Sequence, residues 1–322
     1  MKNVGIICGG FSSEYTISVQ SATNICANFP SEFSANLVLM DKDGWKVQLD
    51  DNSTVELNPK DFSFELNEER CNFDACIVYI HGDPGENGKV QAYLEMIDMP
   101  YINSGPLASQ LSFDKWYCNQ FLKGFGFLVA DSVYLTDAST TVDPEDVIKQ
   151  LGLPVFVKPC DSGSSYGIAR VDETGQLLNA IDMAFKEGRT VIIESFLDGT
   201  EVTCGVYRTT DGVKALPLTE IVTENAFFDF EAKYKGLSDE ITPARISDSA
   251  TAKVQSITKE IYNLMQLRSI ARIDFMLVGD QAYVIEVNTT PGFSNESIVP
   301  KMIAAEGISV REFWTQIMKA EY

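Results

Sequence analysis

The sequence predicts an α/β protein in which an N-terminal parallel-sheet domain is followed by two units built on antiparallel sheets. Three observations carry this. The apolar run at 4–8 leads through Gly9-Gly10-Phe11-Ser12-Ser13-Glu14 into a helical stretch at 17–28. That strand–glycine loop–helix order opens an α/β domain. Beyond strands at 154–158 and 190–194, the runs at 201–208 and 216–222 continue an antiparallel pattern. Near the C-terminus, two apolar runs flank Gly279-Asp280-Gln281, which is a hairpin signal.

Taken in order, residues 4–8 make a short buried-type strand and 17–28 a helix, with further strands at 37–40 and 75–80. Between these, 45–57 alternates apolar and polar residues around Asp51-Asn52-Ser53 and predicts a hairpin, whereas 58–70 carries no chemical signal. The loop His81-Gly82-Asp83-Pro84-Gly85-Glu86-Asn87-Gly88 leads into a helix near 90–97. The strand at 101–105 closes the first domain, 1–105. A helix around 107–121, containing Lys115, opens a central unit, 106–194, and the C-terminal unit is 195–322. The latter holds an amphipathic helix at 250–267, the hairpin, and a closing helix at 310–320. From 223 to 247 no period holds, and a long irregular segment in a compact domain often forms an active-site lid.

With 322 residues, 45% of them hydrophobic, the chain has core enough for two or three domains at roughly 100–200 residues each. Its formal net charge of -21 argues against nucleic acid or an anionic membrane as the main partner. So acidic a chain must gather lysines locally to hold an anion. The seven cysteines include no C-x-x-C pair, so zinc and redox motifs are unsupported and most of the thiols read as small core residues of a reducing compartment. The run at 4–8 is too short for a signal peptide, and none approaches the ~18 residues of a membrane span. These features predict a soluble, cytoplasmic protein.

The hairpin carries the strongest chemistry. If Val278 pairs with Ala282, Asp274 falls opposite Glu286 and Arg272 opposite Asn288. Side chains two apart in a strand share a face, so all four groups project together. Two carboxylates and an amide oxygen beside an Arg make a hard oxygen site for Mg²⁺ that leaves room for phosphate oxygens. A solvated strand face is the competing reading. It explains poorly why the alternate residues Ile273, Phe275, Ile285 and Val287 are apolar.

Other groups are weaker taken singly. Gly163-Ser164-Ser165-Tyr166-Gly167 follows a strand and has the small residues that let backbone N–H groups wrap a phosphate, though an ordinary β-turn reads the same. Lys158, at the end of that strand, is either a phosphate cation or a solvent lysine. Glu194 and Glu201 are either exposed charges or acceptors for an amino group and hydroxyls. His81 reads as a turn-stabilising group, and Ser297 as a helix cap. Neither the P-loop pattern nor G-x-G-x-x-G is present.

In order, the chain contains Gly9-Gly10-x-Ser12-x-Glu14, His81-Gly82-x-x-Gly85-Glu86-x-Gly88, and Val157-Lys158-Pro159 with Gly163-Ser164-Ser165-x-Gly167. Glu194 with Glu201, Lys233-Tyr234, Arg272-x-Asp274 and Glu286-x-Asn288-Thr289-x-Pro291-Gly292 follow. This ordered set resembles the D-alanine–D-alanine ligases of the ATP-grasp superfamily, over nearly the whole chain apart from 45–70.

The resemblance implies ATP held between the antiparallel sheets of the central and C-terminal units. Lys115 and Lys158 would contact its phosphates, Ser165 would lie in the ATP-binding loop that closes over them, Lys233 would reach the γ-phosphate from the lid, and Glu194 and Glu201 would bind its adenine amino group and its ribose. Asp274, Glu286 and Asn288 would hold two Mg²⁺ ions, or Mn²⁺ in their place. Glu14, Ser164 and Tyr234 would form a hydrogen-bonded set at the ammonium of a first D-alanine. Arg272 and the Gly292 N–H would stabilise an oxyanion, Ser297 would bind the second substrate's carboxylate, and His81 would lie beside both substrates. The implied product serves peptidoglycan and cell-wall synthesis, and the family is commonly a homodimer.

Some positions depart from the family pattern: Phe11 and Tyr15 beside Glu14, Thr290 where Ser is frequent, and Phe293-Ser294-Asn295-Glu296 before Ser297. These bear on the acceptor subsite. A D-lactate or D-serine acceptor on the same fold is therefore the nearest alternative, and a non-catalytic nucleotide-binding homologue a more distant one. In the family, Phe in place of the lid Tyr accompanies D-lactate use, so Tyr234 favours an amine acceptor.

Overall fold

A computed structural model describes residues 1–163, 166–223 and 238–322. The described residues build three sheets. The first has eight strands, β1 (Lys2–Gly9), β2 (Phe33–Asp41), β3 (Gly44–Gln48), β4 (Thr54–Asn58), β5 (Ser63–Leu66), β6 (Glu69–Asn72), β7 (Ala75–Val78) and β8 (Tyr101–Ile102). Their order is β6-β5-β4-β3-β2-β1-β7-β8. Only β2-β1-β7-β8 is parallel, as the apolar runs predict; β3 to β6 extend the sheet as an antiparallel meander. The segment without a sequence signal thus forms the β5–β6 hairpin, whose two-residue loop is Asn67-Glu68, both at positive φ. Such loops favour Asn-Gly, and Glu at the second position conceals the turn.

Helices α1 (Tyr15–Ala27) and α2 (Lys89–Met96) accompany the parallel half. The single helix expected at 107–121 is two, α3 (Pro106–Phe113) and α4 (Lys115–Gly124). Asp114 divides them: its backbone is extended and its carboxylate accepts the Tyr117 N–H at 3.1 Å, capping α4. Lys115 therefore begins a helix instead of sitting within one. After α4, β9 (Leu128–Val129) joins the C-terminal sheet alongside its hairpin.

The second sheet has the order β10-β13-β11-β12, from β10 (Ser132–Leu135), β11 (Val155–Pro159), β12 (Ala169–Val171) and β13 (Val191–Ser195). Helices α5 (Pro144–Leu151) and α6 (Leu177–Glu187) belong to this unit. Val155, Val157 and Ile193 bury against Leu177, Ile181 and Ala184 of α6. The alternate residues, Phe156, Lys158 and Glu194, turn to the opposite face, as period-2 alternation requires.

The third sheet contains β14 (Thr200–Thr209), β15 (Gly212–Ala215), β16 (Thr219–Thr223), β17 (Ser238–Ile241), β18 (Ile270–Val278) and β19 (Gln281–Asn288). Its order is β17-β16-β14-β18-β19-β9, with β15 on β14. The segment expected to be irregular, 223–247, therefore contains a strand, β17, in register with β16. Helix α7 (Asp248–Leu264) covers one face through Val254, Ile261 and Tyr262. Helices α8 (Ile298–Ala305) and α9 (Val310–Glu321) share a core with the parallel sheet, where Phe293, Phe313 and Trp314 meet Tyr79 and α1. No helix among the described residues is long and apolar enough to cross a membrane. All seven cysteines are free thiols, five of them buried.

Candidate active site

The outward faces of the second and third sheets enclose a cavity of about 430 Å³. From the second sheet, Lys158 and Glu194 reach into it, Nζ to Oε2 at 2.6 Å. The other Glu194 oxygen accepts Asn119 Nδ2 at 2.8 Å, so this carboxylate is buried and fixed between an amide and an ammonium. Lys115 ties the two sheets together. Its backbone N–H donates to the Cys160 carbonyl, its Nζ donates to the Ser162 carbonyl at 2.8 Å, and Glu286 Oε1 of the hairpin lies 3.3 Å away. Burial alone would lower its pKa, but the Glu286 carboxylate outweighs that, and Lys115 is held charged above its ordinary value.

The hairpin differs from its expected register by one residue at the turn, where Val278 pairs with Gln281. A β-bulge then shifts the register at Asp274, so that Asp274 does oppose Glu286 and Arg272 does oppose Asn288. Ile285 is the inserted residue; it lines the cavity with Glu286 instead of joining the core. Arg272 grips Asp274 with Nε and Nη2, each at 2.8 Å. Asp274 also accepts from Thr203 Oγ and from Asn288 Nδ2 at 3.1 Å. Burial opposes the Arg272 charge, but Asp274 and then Glu286 more than offset it, and its pKa is raised.

The parallel sheet contributes the other side. A Cβ on Gly163 would lie 2.7 Å from Glu14 Oε2, and one on Gly82 3.2 Å from the same oxygen. Two glycine loops therefore close on the Glu14 carboxylate where larger residues could not. Glu86, which the sequence reading did not single out, accepts the Gly82 N–H at 2.8 Å. Burial first, and the neighbouring Glu14 charge second, push its pKa up to about 8. Its sequence signal was its place in the His81–Gly88 motif, with no role attached to it. The Arg272 charge lowers the pKa of both Glu86 and His81, as a lesser cause than burial.

His81 is buried, with Nε2 3.2 Å from Ser21 Oγ, and burial lowers its pKa to about 4. Between pH 6.5 and 4 the unfolded chain binds a proton that the folded imidazole refuses, so this contribution to stability is lost as pH falls through that window. In urea titrations, His81→Gln should lose about 2–3 kcal/mol less stability than the parent between pH 7 and 4.5.

Beyond β19, Tyr79 Oη donates to the Pro291 carbonyl at 2.7 Å, and Ser21 Oγ accepts the Phe293 N–H at 3.0 Å. The loop carrying Gly292 is thereby strapped to the parallel sheet and α1. A Cβ on Gly292 would lie 3.1 Å from Ser297 Oγ. Ser297 occupies the N-cap position of α8 but makes no capping bond; its Oγ accepts the Ser294 N–H at 3.0 Å.

Thus Lys115, Lys158, Glu194, Glu201, Arg272, Asp274 and Glu286 surround one cavity. Asn288 adjoins it through Asp274. Glu14, His81, Gly292 and Ser297 lie outside the cavity lining, on the side of the parallel sheet and α8. Ser164, Ser165, Lys233 and Tyr234 lie outside the described residues. Among the described residues no three His, Cys, Asp or Glu side chains form a metal cage. Asp274, Glu286 and Asn288 instead offer an incomplete set of hard oxygens at a cavity wall. That set fits Mg²⁺, which binds through one or two carboxylates and completes its shell with phosphate and water.

Family comparisons agree over both halves of the chain. A family model described as D-ala D-ala ligase N-terminus matches residues 3–104, and one described as D-ala D-ala ligase C-terminus matches residues 121–319. A D-alanine–D-alanine ligase of Porphyromonas gingivalis is 46% identical over 318 residues, covering 98% of this chain and 96% of its own. Among solved structures, D-alanyl-alanine synthetase A of Vibrio cholerae superposes with a TM-score of 0.87 at 28% identity, covering 98% of this chain and 97% of that one. The VanG D-Ala:D-Ser ligase of Enterococcus faecalis follows at 0.85 and 27%, covering 98% of both. With two facing antiparallel sheets, a cavity lined by lysines and carboxylates, and matches along its whole length, the chain belongs to the D-alanine–D-alanine ligase family.

Proposed function

We propose that this protein joins two D-alanine molecules to D-alanyl-D-alanine, a peptidoglycan precursor, with ATP converted to ADP and phosphate. The observation that carries this reading is the cavity in which Lys115, Lys158 and Arg272 meet Asp274 and Glu286 between two antiparallel sheets. Lys115 and Lys158 are buried enough to act at high strength on phosphate oxygens, and both are pre-placed by carboxylates, so little reorganisation precedes binding. Glu194 keeps free lone pairs for an adenine amino group, and Glu201 faces the same cavity for the ribose. Asp274, Glu286 and Asn288 would hold Mg²⁺, which supplies charge neutralisation on the transferring phosphoryl group.

A carboxylate is a poor acyl donor. In this reading the first D-alanine's carboxylate attacks the γ-phosphorus, ADP leaves, and an acyl phosphate forms. The second D-alanine's amine then attacks the acyl carbon, and phosphate departs with the C–O bond electrons. Glu14 would hold the first ammonium, while Arg272 and the Gly292 N–H would receive the charge on the tetrahedral oxygen. Burial and the Glu14 charge push the Glu86 pKa upward, which lessens the negative charge that Glu14 shares. Cytoplasmic action and a homodimer formed through the N-terminal unit belong to the same reading, the latter checked by sedimentation equilibrium.

A panel of D-alanine, D-serine and D-lactate with ATP and Mg²⁺ at neutral pH, scored by ADP formation and product mass, tests the reading. D-alanyl-D-alanine should dominate. The structural likeness to a D-Ala:D-Ser ligase makes D-serine the informative competitor. Faster formation of D-alanyl-D-serine or D-alanyl-D-lactate would reassign the acceptor, and ADP formation independent of any amino acid would overturn the ligase reading.

A further inference from the structure

The cavity-facing side of the third sheet carries side chains in register across its strands. One row runs Met276, Glu201, Ile221 and Glu240 over β18, β14, β16 and β17. The first three line the cavity. In-register residues on neighbouring antiparallel strands project to the same side, so Glu240 is the outermost member of that row. There its carboxylate meets Lys301 of α8, Oε2 to Nζ at 2.9 Å, and the Glu240 side chain is only 17% exposed. Lys301 stands one helical turn after Ser297, the N-cap residue of α8.

The chain just beyond β17 is tied back to β16. Glu220 of β16 takes a two-pronged ion pair from Arg245, and Thr219 Oγ lies 2.6 Å from Thr242 Oγ. Helix α8 is held in depth by Val299, Met302 and Ile303 in the shared core. That packing sets which face of α8 is buried, and the Lys301–Glu240 ion pair adds a polar tether to β17 that holds the first turn more closely than packing alone.

We propose that Glu240 and Lys301 are a positioning pair that holds the first turn of α8, and with it the placement of Ser297 for the acceptor substrate. The inference rests on the reading of Ser297 as the acceptor-carboxylate contact. Simple surface pairing explains the arrangement poorly. The two residues are 61 positions apart, and one of them belongs to the cavity row.

Steady-state kinetics on the full-length protein test the pair, with D-alanine and ATP varied separately. Glu240→Gln and Lys301→Met should each raise KM for the second D-alanine roughly five- to twentyfold, with kcat and KM for ATP within about twofold. The double variant should be no worse than either single one, since both remove the same interaction. Lys301→Arg should restore KM. Unchanged KM in both single variants, an additive double variant, or kcat and both KM values worsening together with a lower melting temperature would each overturn the pair's role. If the parent protein forms no dipeptide, the functional reading fails; if it forms dipeptide and the variants bind D-alanine normally, only this inference does.

Discussion

Glu286→Gln should lower kcat/KM for ADP formation by about 10³-fold while leaving the fold intact. The carboxylate lies 3.3 Å from Lys115 Nζ and opposite Asp274, so it supplies one of only two full negative charges in the oxygen set. Transition-state charge stabilisation by a bound divalent ion amounts to several kcal/mol, and each 1.36 kcal/mol is tenfold in rate. The cost to stability should be about 1 kcal/mol, because Glu286 is partly open to solvent and Lys115 keeps the Ser162 carbonyl. Raising Mg²⁺ should recover part of the lost rate if ligand loss is the cause, which a displaced Lys115 would not produce. Retained turnover at ordinary Mg²⁺ would remove Glu286 from the proposed metal ligands.

Arg272→Lys should lower kcat about 10²–10³-fold, with KM for ATP within about threefold. The change keeps the charge but not the geometry. Arg272 delivers Nε and Nη2 to the two oxygens of Asp274 as a flat fork, and a lysine ammonium cannot span both while still facing a developing oxyanion. Asp274 would keep Thr203 and Asn288 as donors, so the loss of stability should stop at about 2 kcal/mol, read from the thermal unfolding midpoint. A kcat within threefold of the parent would show that the guanidinium serves only to neutralise Asp274.

The parts of this architecture that strand and helix periodicity control were legible in the chain. Alternation placed Asp274, Arg272, Glu286 and Asn288 on one side of a hairpin, and the apolar runs located β1, β7, β11 and β13. What escaped lacks a local signature. The bulge at Ile285 is a single inserted residue, visible only once both strands are paired, and it moves an apolar side chain from core to cavity. Asp114 divides a helix without interrupting its apolar period, and Asn67-Glu68 turns a hairpin without the usual glycine. Glu86 is identified by its burial and by the charge of Glu14 beside it, neither of which sequence spacing encodes. The pairing of Lys115 with Glu286 joins residues that only the docking of α4 between two sheets brings together. Individual roles toward ATP and D-alanine came from the family resemblance, because a lone lysine or glutamate reads the same at a site and on a surface.

The central claim is that the groups around this one cavity transfer a phosphoryl group to a carboxylate and then an acyl group to an amine. Oxygen tracing tests it most directly. D-alanine labelled with ¹⁸O in its carboxylate is incubated with ATP, Mg²⁺ and the protein, and the released phosphate is weighed by mass spectrometry. One labelled oxygen should pass to phosphate for each dipeptide formed, since the leaving phosphate carries away the oxygen that attacked it. Dipeptide formed with unlabelled phosphate would contradict the account.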